Sequence, residues 1–284
     1  MNKDLTESHT RKGQTMRILA CDTSSASCSC CLGSYEMQPV TGGTHEVSAF
    51  STAFIREKRI ASSFLSVGLT HSHTFMPLVH ELMQNAAAEY SSLDAIACTV
   101  GPGSFTGIRI GVSAVKAMAF ASGKAAISVS SLRALAYPLF AQQGAVVAAM
   151  IDARNRRVFC AAYYRGVEVV PEAARTVDEF VIECDQWRDE NAPGSVILTC
   201  GNACDIYGVS ESGEQRADVR PVFSCSEIDP WSVAGIAAEL VLAASGSCDQ
   251  NLASLFPTES MEPVYLAKTA AERNFIKKAE KSND

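Results

Sequence analysis

The sequence predicts an α/β protein of two lobes related by duplication, the second more eroded than the first. Three observations predict it. Apolar strands alternate with amphipathic helices along the whole chain. Two of those strands, one opening at Met16 and one at Val146, end in an aspartate, Asp22 and Asp152, followed by a short polar turn. Both halves then share one order: strand, aspartate, turn, strand, further strand, helix, strand, helix. The likeness lies in element order and not in residue identity. It sets the expected boundaries: an unpacked extension at 1–15, a first lobe at 16–143 and a smaller second lobe with its tail at 144–284.

In the first lobe RILACD forms the opening strand. Ala26, Cys28, Cys30 and Leu32 then alternate with Ser27, Ser29 and Cys31, the period of a strand with one face buried. Tyr35 to Ser62, with the turn signal Gly42-Gly43, fits a hairpin insertion before a third strand. A helix is expected from about Ser72 to Tyr90, with Phe75, Leu78, Val79, Leu82, Met83 and Ala86 as its apolar stripe and Pro77 near the first turn. A buried strand, Asp94 to Val100, leads into GPGSFTGIRIG at Gly101–Gly111, a second helix to about Ala121, the strand AAISVS and a third helix from Ser131.

After Gly144 the grammar restarts. Val146 to Ile151 and Arg157 to Tyr164 are strands. Thr176 and Glu179 make a capping box for a helix with Val177, Phe180, Val181 and Cys184 on its apolar face. Ser195 to Cys200 is a strand ending at Gly201-Asn202. Asp229-Pro230 starts the last helix, whose stripe is Val233, Ile236, Leu240 and Ala244.

Composition removes several function classes. The chain has 284 residues, 47% of them hydrophobic and 19% charged, an ordinary globular balance. No apolar run reaches the ~18 residues of a membrane span, and the first fifteen residues lack a signal-peptide core, so a cytoplasmic protein is expected. The formal charge of −7 lacks the basic footprint of a protein that holds nucleic acid alone. The basic stretches at the start and at Lys268–Lys281 read as solvated termini. The eleven cysteines are irregularly spaced without paired C-x-x-C knuckles, which points to core filling in a reducing compartment and not to zinc.

Two segments could carry chemistry. Asp22, Thr23 and Ser24, at a strand end, have the look of a phosphate turn with a magnesium-positioning carboxylate, or of a turn in which Asp22 caps local N–H groups. In GPGSFTGIRIG, Gly101 and Gly103 suit a tight turn, and Ser104 caps the following helix. It is neither a P-loop nor G-x-G-x-x-G. Gly107 and Gly111 each cost the helix roughly 1 kcal/mol, so close packing, simplest from another helix, is expected there. No G-x-S-x-G elbow or triad is visible. His73 and His80 are roughly 10.5 Å apart along a helix, too far to share a metal.

RILACDTSS, HSHTFMPLVHEL, DAIACTVGPGSFTGIRIG, SVSSLRALA, IDARNRRVFCAAYY and PVYL occur in order and at spacings that resemble the TsaB (YeaZ) family, over Met16 to about Leu266. The resemblance implies a ribonuclease H-like, actin-like ATPase fold, as in sugar kinases and Hsp70. It implies a non-catalytic subunit of the bacterial complex that adds threonylcarbamoyl to N6 of the adenosine beside the anticodon of tRNAs reading ANN codons. The partners implied are a TsaD-like catalytic subunit and a TsaE-like ATPase, which would hold the ATP and metal, with tRNA met indirectly. No catalytic residue, metal or cofactor is expected on this chain, and self-association when alone is left open. A TsaD-like H-x-x-x-H is missing, since Phe75 follows His71 by four places and Pro77 follows His73. Asp22, Thr23, Ser24, Gly101, Gly103, Ser104, Asp152 and Gly201 are read as vestigial nucleotide-type loops. The small stripe Gly107, Gly111, Ala114 and Met118, with Met76 and Met83 from the preceding helix, is read as the partner interface. An independent ATPase or small-molecule kinase using Asp22, Gly101–Ser104 and Asp152 is the alternative, and a glycoprotease-like metallopeptidase the third.

Overall fold

The structure, a computed structural model, describes residues 15–39, 53–66, 71–154, 157–205, 216–245 and 251–267. The expectations for the extension before Thr15, the Gly42-Gly43 turn and the tail after Ala267 lie outside the described residues. The first half contains β1 (Thr15–Asp22), β2 (Cys28–Pro39), β3 (Ala53–Leu65), α1 (His71–Asn85), β4 (Ala95–Gly101), α2 (Phe105–Ser122), β5 (Ala125–Ser130) and α3 (Ser131–Ala136). The second contains β6 (Ala145–Asp152), β7 (Arg157–Tyr164), β8 (Val167–Thr176), α4 (Val177–Asn191), β9 (Val196–Cys200), β10 (Val219–Pro221), α5 (Pro230–Ser245) and α6 (Leu252–Leu255).

The strands form two five-stranded sheets, ordered β3-β2-β1-β4-β5 and β10-β9-β6-β7-β8. Each is built outward from its aspartate-ended strand. β1 pairs antiparallel with β2 and parallel with β4; β6 pairs antiparallel with β7 and parallel with β9. The two sheets therefore repeat one topology, and the α/β, two-lobed fold that element order predicted is present.

Packing follows from the strand period. One face of the first sheet (Leu19, Cys21, Cys30, Leu32) meets Phe75, Val79 and Leu82 of α1 and Ile108, Val112 and Val115 of α2. Its other face (Ile18, Ala20, Cys31, Tyr35) shares a core with α3, α5 and the face of the second sheet carrying Val147, Ala149, Ala161 and Tyr163. The far side of the second sheet (Val146, Ala148, Met150) packs on Phe180 and Cys184 of α4. The layers run α1 and α2, first sheet, α3 and α5, second sheet, α4.

Three local expectations need correction. α5 is not amphipathic with Leu240 and Ala244 in its buried stripe; Leu240 is exposed, while Trp231, Val233, Ala234, Ile236, Ala237, Ala238 and Val241 are all buried. A helix lying between two sheets buries more than one face, and its alanines allow the approach. α1 ends at Asn85, not near Tyr90, and Ala87 takes a left-handed φ of 47°. β3 pairs with β2 along its full length, so the segment read as an insertion lengthens the sheet itself. The Thr176 capping box is formed as the sequence predicts, with the side chains of Thr176 and Glu179 each accepting the other's backbone N–H.

Candidate functional site in the cleft between the sheets

The C-terminal ends of β1, β4, β6 and β9 border one cleft of about 760 Å³. Ser24 and Ser25 follow β1, Gly103, Ser104 and Phe105 follow β4, Asp152 ends β6 with Arg154 just beyond it, and Asn202 follows β9. Ligands of parallel α/β sheets gather at such strand ends, so this is where chemistry would be sought.

The two aspartates play the same local part. Asp22 Oδ1 accepts the Ser24 N–H at 3.1 Å, and Asp152 Oδ1 accepts the Arg154 N–H at 2.7 Å, each closing a two-residue side-chain turn. Their surroundings differ. Asp152 is exposed, and its own N–H donates to Asn202 Oδ1 at 2.8 Å. Asp22 is fully buried; its Oδ1 also accepts the Ser24 and Thr99 hydroxyls at 2.7 and 2.5 Å, while Oδ2 has no partner. Burial pushes the Asp22 carboxyl up, against the pull of those hydrogen bonds.

The glycines explain why. A Cβ on Gly103 would lie 2.3 Å from Ser24 O, on Gly107 2.0 Å from Thr23 O, and on Gly111 2.2 Å from Thr23 Oγ1. Only hydrogen fits between α2 and the turn after β1. Ser104 N–H donates to Ser24 O at 2.7 Å, Thr23 Oγ1–H to Gly107 O at 2.8 Å, and His71 Nε2 lies 2.8 Å from Ser25 O. Ser104 caps α2 by accepting the Gly107 N–H at 3.2 Å. Gly101 and Gly201, both at positive φ, stand at matching ends of β4 and β9, where a Cβ would lie 2.6 Å from Val264 O and 2.0 Å from Met150 O.

Of the eight loop residues singled out in the sequence, Ser24, Gly103, Ser104 and Asp152 line the cleft; Asp22, Thr23, Gly101 and Gly201 are buried behind it. A magnesium-bound nucleotide, for which the sequence reading singled out these loops, does not fit the residues as placed. The Ser24 N–H that could meet a phosphate is spent on Asp22 Oδ1, and the Asp22 carboxylate that could position magnesium is closed off from the cleft. Sequence reasoning missed the segment that completes this wall. Val264 N–H donates to Val100 O at 2.7 Å, and Tyr265 stacks on Phe105 with ring centres 5.0 Å apart. Arg109 lies 3.9 Å over Phe105 and donates from Nε to Tyr265 Oη at 2.8 Å. Only PVYL hinted at this, and a four-residue string says nothing of where it docks.

The small stripe also needs correction. Gly107, Gly111, Met83 and Met118 are buried within the first lobe, Ala114 is half-buried, and only Met76 is well exposed. The glycines admit the turn after β1, not a partner's helix. Exposed apolar positions of these helices away from the cleft include Met76 on α1 and Ala117, Phe120 and Ala121 on α2. The cysteine cluster is buried, and burial pushes the Cys30 thiol up to about 12, which keeps it protonated. Among the described residues no three His, Cys, Asp or Glu side chains converge as a metal site, and no helix is long and apolar enough to cross a membrane.

A family model described as "TsaD: tRNA N6-adenosine threonylcarbamoyltransferase" matches residues 66–275. The TsaB biosynthesis protein of Haemophilus influenzae is 34% identical over 122 residues, 42% of this chain and 48% of that protein. The Escherichia coli TsaB is 32% identical over 151 residues, 53% of this chain and 56% of the other. The chain belongs to the family that this model describes, and within it is similar to the TsaB proteins. It spans about half the length of the curated TsaB proteins it matches. A solved Pseudomonas aeruginosa structure with similarity to peptidase YeaZ covers 89% of this chain and 100% of its own at 24% identity, with a TM-score of 0.62, which shows a common fold.

Proposed function

We propose that this chain is a non-catalytic subunit of the bacterial machinery that forms N6-threonylcarbamoyladenosine beside the anticodon of tRNAs reading ANN codons. It binds and organises a TsaD-like catalytic subunit alongside a TsaE-like ATPase, and the ATP and metal belong to those partners. The observation that carries this reading is the closed turn after β1. Its Ser24 N–H is spent on the buried Asp22 carboxylate, and its three consecutive carbonyls, Thr23 to Ser25, face Gly107, the Ser104 N–H and His71 of the same chain. The loops that would grip a nucleotide hold the lobe together instead. Exposed Met76, Ala117 and Phe120 on α1 and α2 supply an apolar surface for the partner.

Reconstitution tests this. With native TsaD-like and TsaE-like subunits, a threonylcarbamoyl-adenylate supply and unmodified tRNA, omission of this chain abolishes modification, while the chain alone transfers nothing. Full modification without it would overturn the proposal. The size of the cleft, with Arg154 on its wall, favours an independent ATPase or kinase as the second reading. Calorimetry with Mg-ATP on the isolated chain separates them, since that reading requires micromolar binding and turnover.

A further inference from the structure

The lengthened β2–β3 hairpin has no part in the cleft. Its register aligns Thr15 with Glu36 and Arg56, and Arg17 with Ser34 and Lys58, so these six side chains share one face of the first sheet. Toward the other end of that face α1 covers Leu19 and Leu32. Here the six are exposed or half-exposed and line a trough of about 670 Å³.

Three are cations. Among the described residues none of Arg17, Arg56 and Lys58 has a carboxylate within ion-pairing distance; Arg59, the neighbour that does pair with Glu57, belongs to the opposite face, over Trp231. Glu36 lies among them, Glu57 lines the same trough while paired with Arg59, and Asp94, which accepts the Arg17 backbone N–H at 2.7 Å, borders them. Arg56 and Lys58 are two residues apart on one strand, roughly 7 Å, and Arg17 lies two strands away, roughly 10 Å. On a chain of net charge −7 this concentration of unpaired cations stands out.

We infer that this platform docks the phosphodiester backbone of RNA. The cations spread over two dimensions, which suits a folded RNA better than one extended peptide. Among the described residues Ile60 is the only apolar side chain lining the trough, which offers no buried anchors of the kind a protein partner depends on. Ser34 and Thr15 add hydroxyls of the kind that bond phosphate oxygens. The inference rests on the proposed function for the choice of tRNA as probe and extends it: the chain touches tRNA directly and not only through its partners.

Fluorescence anisotropy of a labelled, unmodified tRNA transcript with the full chain tests it between 50 and 200 mM salt. Three phosphate contacts predict an affinity loss of roughly 20- to 40-fold over that range. Arg56→Glu with Lys58→Glu should weaken binding at least tenfold at 50 mM and flatten the log–log salt slope by about two, whereas Arg56→Lys with Lys58→Arg preserves both. Unchanged affinity and slope in the reversed pair overturn the inference. So does a labelled polyglutamate peptide that binds while tRNA does not, which would mark a site for an acidic protein. Should the reversed pair fail to fold by circular dichroism, the unaltered chain decides: a slope shallower than about −1 refutes the three contacts. Modification that persists without this chain would remove the proposed function and leave the anisotropy result standing; lost RNA binding with intact dependence does the reverse.

Discussion

Replacing Gly107 by alanine is the most informative single perturbation. In an exposed helix the change would stabilise by up to about 1 kcal/mol through propensity. Here the new Cβ would sit 2.0 Å from Thr23 O, a backbone atom that cannot swing aside. Relief requires α2 or the turn to retreat by more than an ångström. That strains the Thr23 Oγ1–Gly107 O and Ser104 N–Ser24 O hydrogen bonds, each worth about 1 kcal/mol. Overpacking adds about 1–3 kcal/mol. The net expectation is a loss of about 2–4 kcal/mol, read as a lower urea midpoint with an unchanged slope. Ala117→Arg on the exposed side of the same helix should leave the midpoint within about 0.5 kcal/mol. A Gly107→Ala midpoint equal to or above that of the unaltered protein would refute the argument that the glycines exist to admit the turn.

Other consequences follow from charge and exposure. Arg216 and Arg188 hold the Asp218 carboxyl down to about 2, so its contribution is present above about pH 4 and is lost as pH falls toward 2. With the side chain 42% exposed, screening limits that to about 1 kcal/mol, and Asp218→Asn should flatten acid unfolding in this window. Asp22 has the opposite sign. Burial raises its folded-state pKa, so its contribution is greatest below its ordinary value of 3.8 and is lost as pH rises through the raised one. Melting temperatures of Asp22→Asn should therefore vary less between pH 4 and 7 than those of the unaltered protein, and an identical profile would count against a titrating Asp22. Phe120→Glu, at a side chain 76% exposed, should leave the circular dichroism spectrum unchanged and abolish co-elution with a TsaD-like partner; retained co-elution would move the partner surface elsewhere.

Much of this fold was legible because its signals are local. Strand ends at Asp22 and Asp152, the Thr176–Glu179 capping box and the Ser104 cap each depend on residues within a few positions. The duplicated element order reappears as duplicated strand pairing. What misled was which face a long-range neighbour occupies. The i, i+4 recurrence of Gly107 and Gly111 shows a close approach, but periodicity does not say whether a partner's helix or the chain's own turn makes it. The same gap hid the two-sided burial of α5, since its second neighbour is a sheet built from residues about 80 positions earlier in the sequence. The stack of Phe105, Arg109 and Tyr265 joins residues 156 or more apart, and no local pattern announces such a contact.

The central claim is that this chain organises threonylcarbamoyl transfer without performing it. The most direct measurement is nucleoside mass spectrometry of tRNA from a strain depleted of this protein and complemented with either the unaltered chain or Phe120→Glu. The account predicts that N6-threonylcarbamoyladenosine disappears on depletion, returns with the unaltered chain and stays absent with the variant. Normal levels of the modified nucleoside in the depleted strain would contradict it.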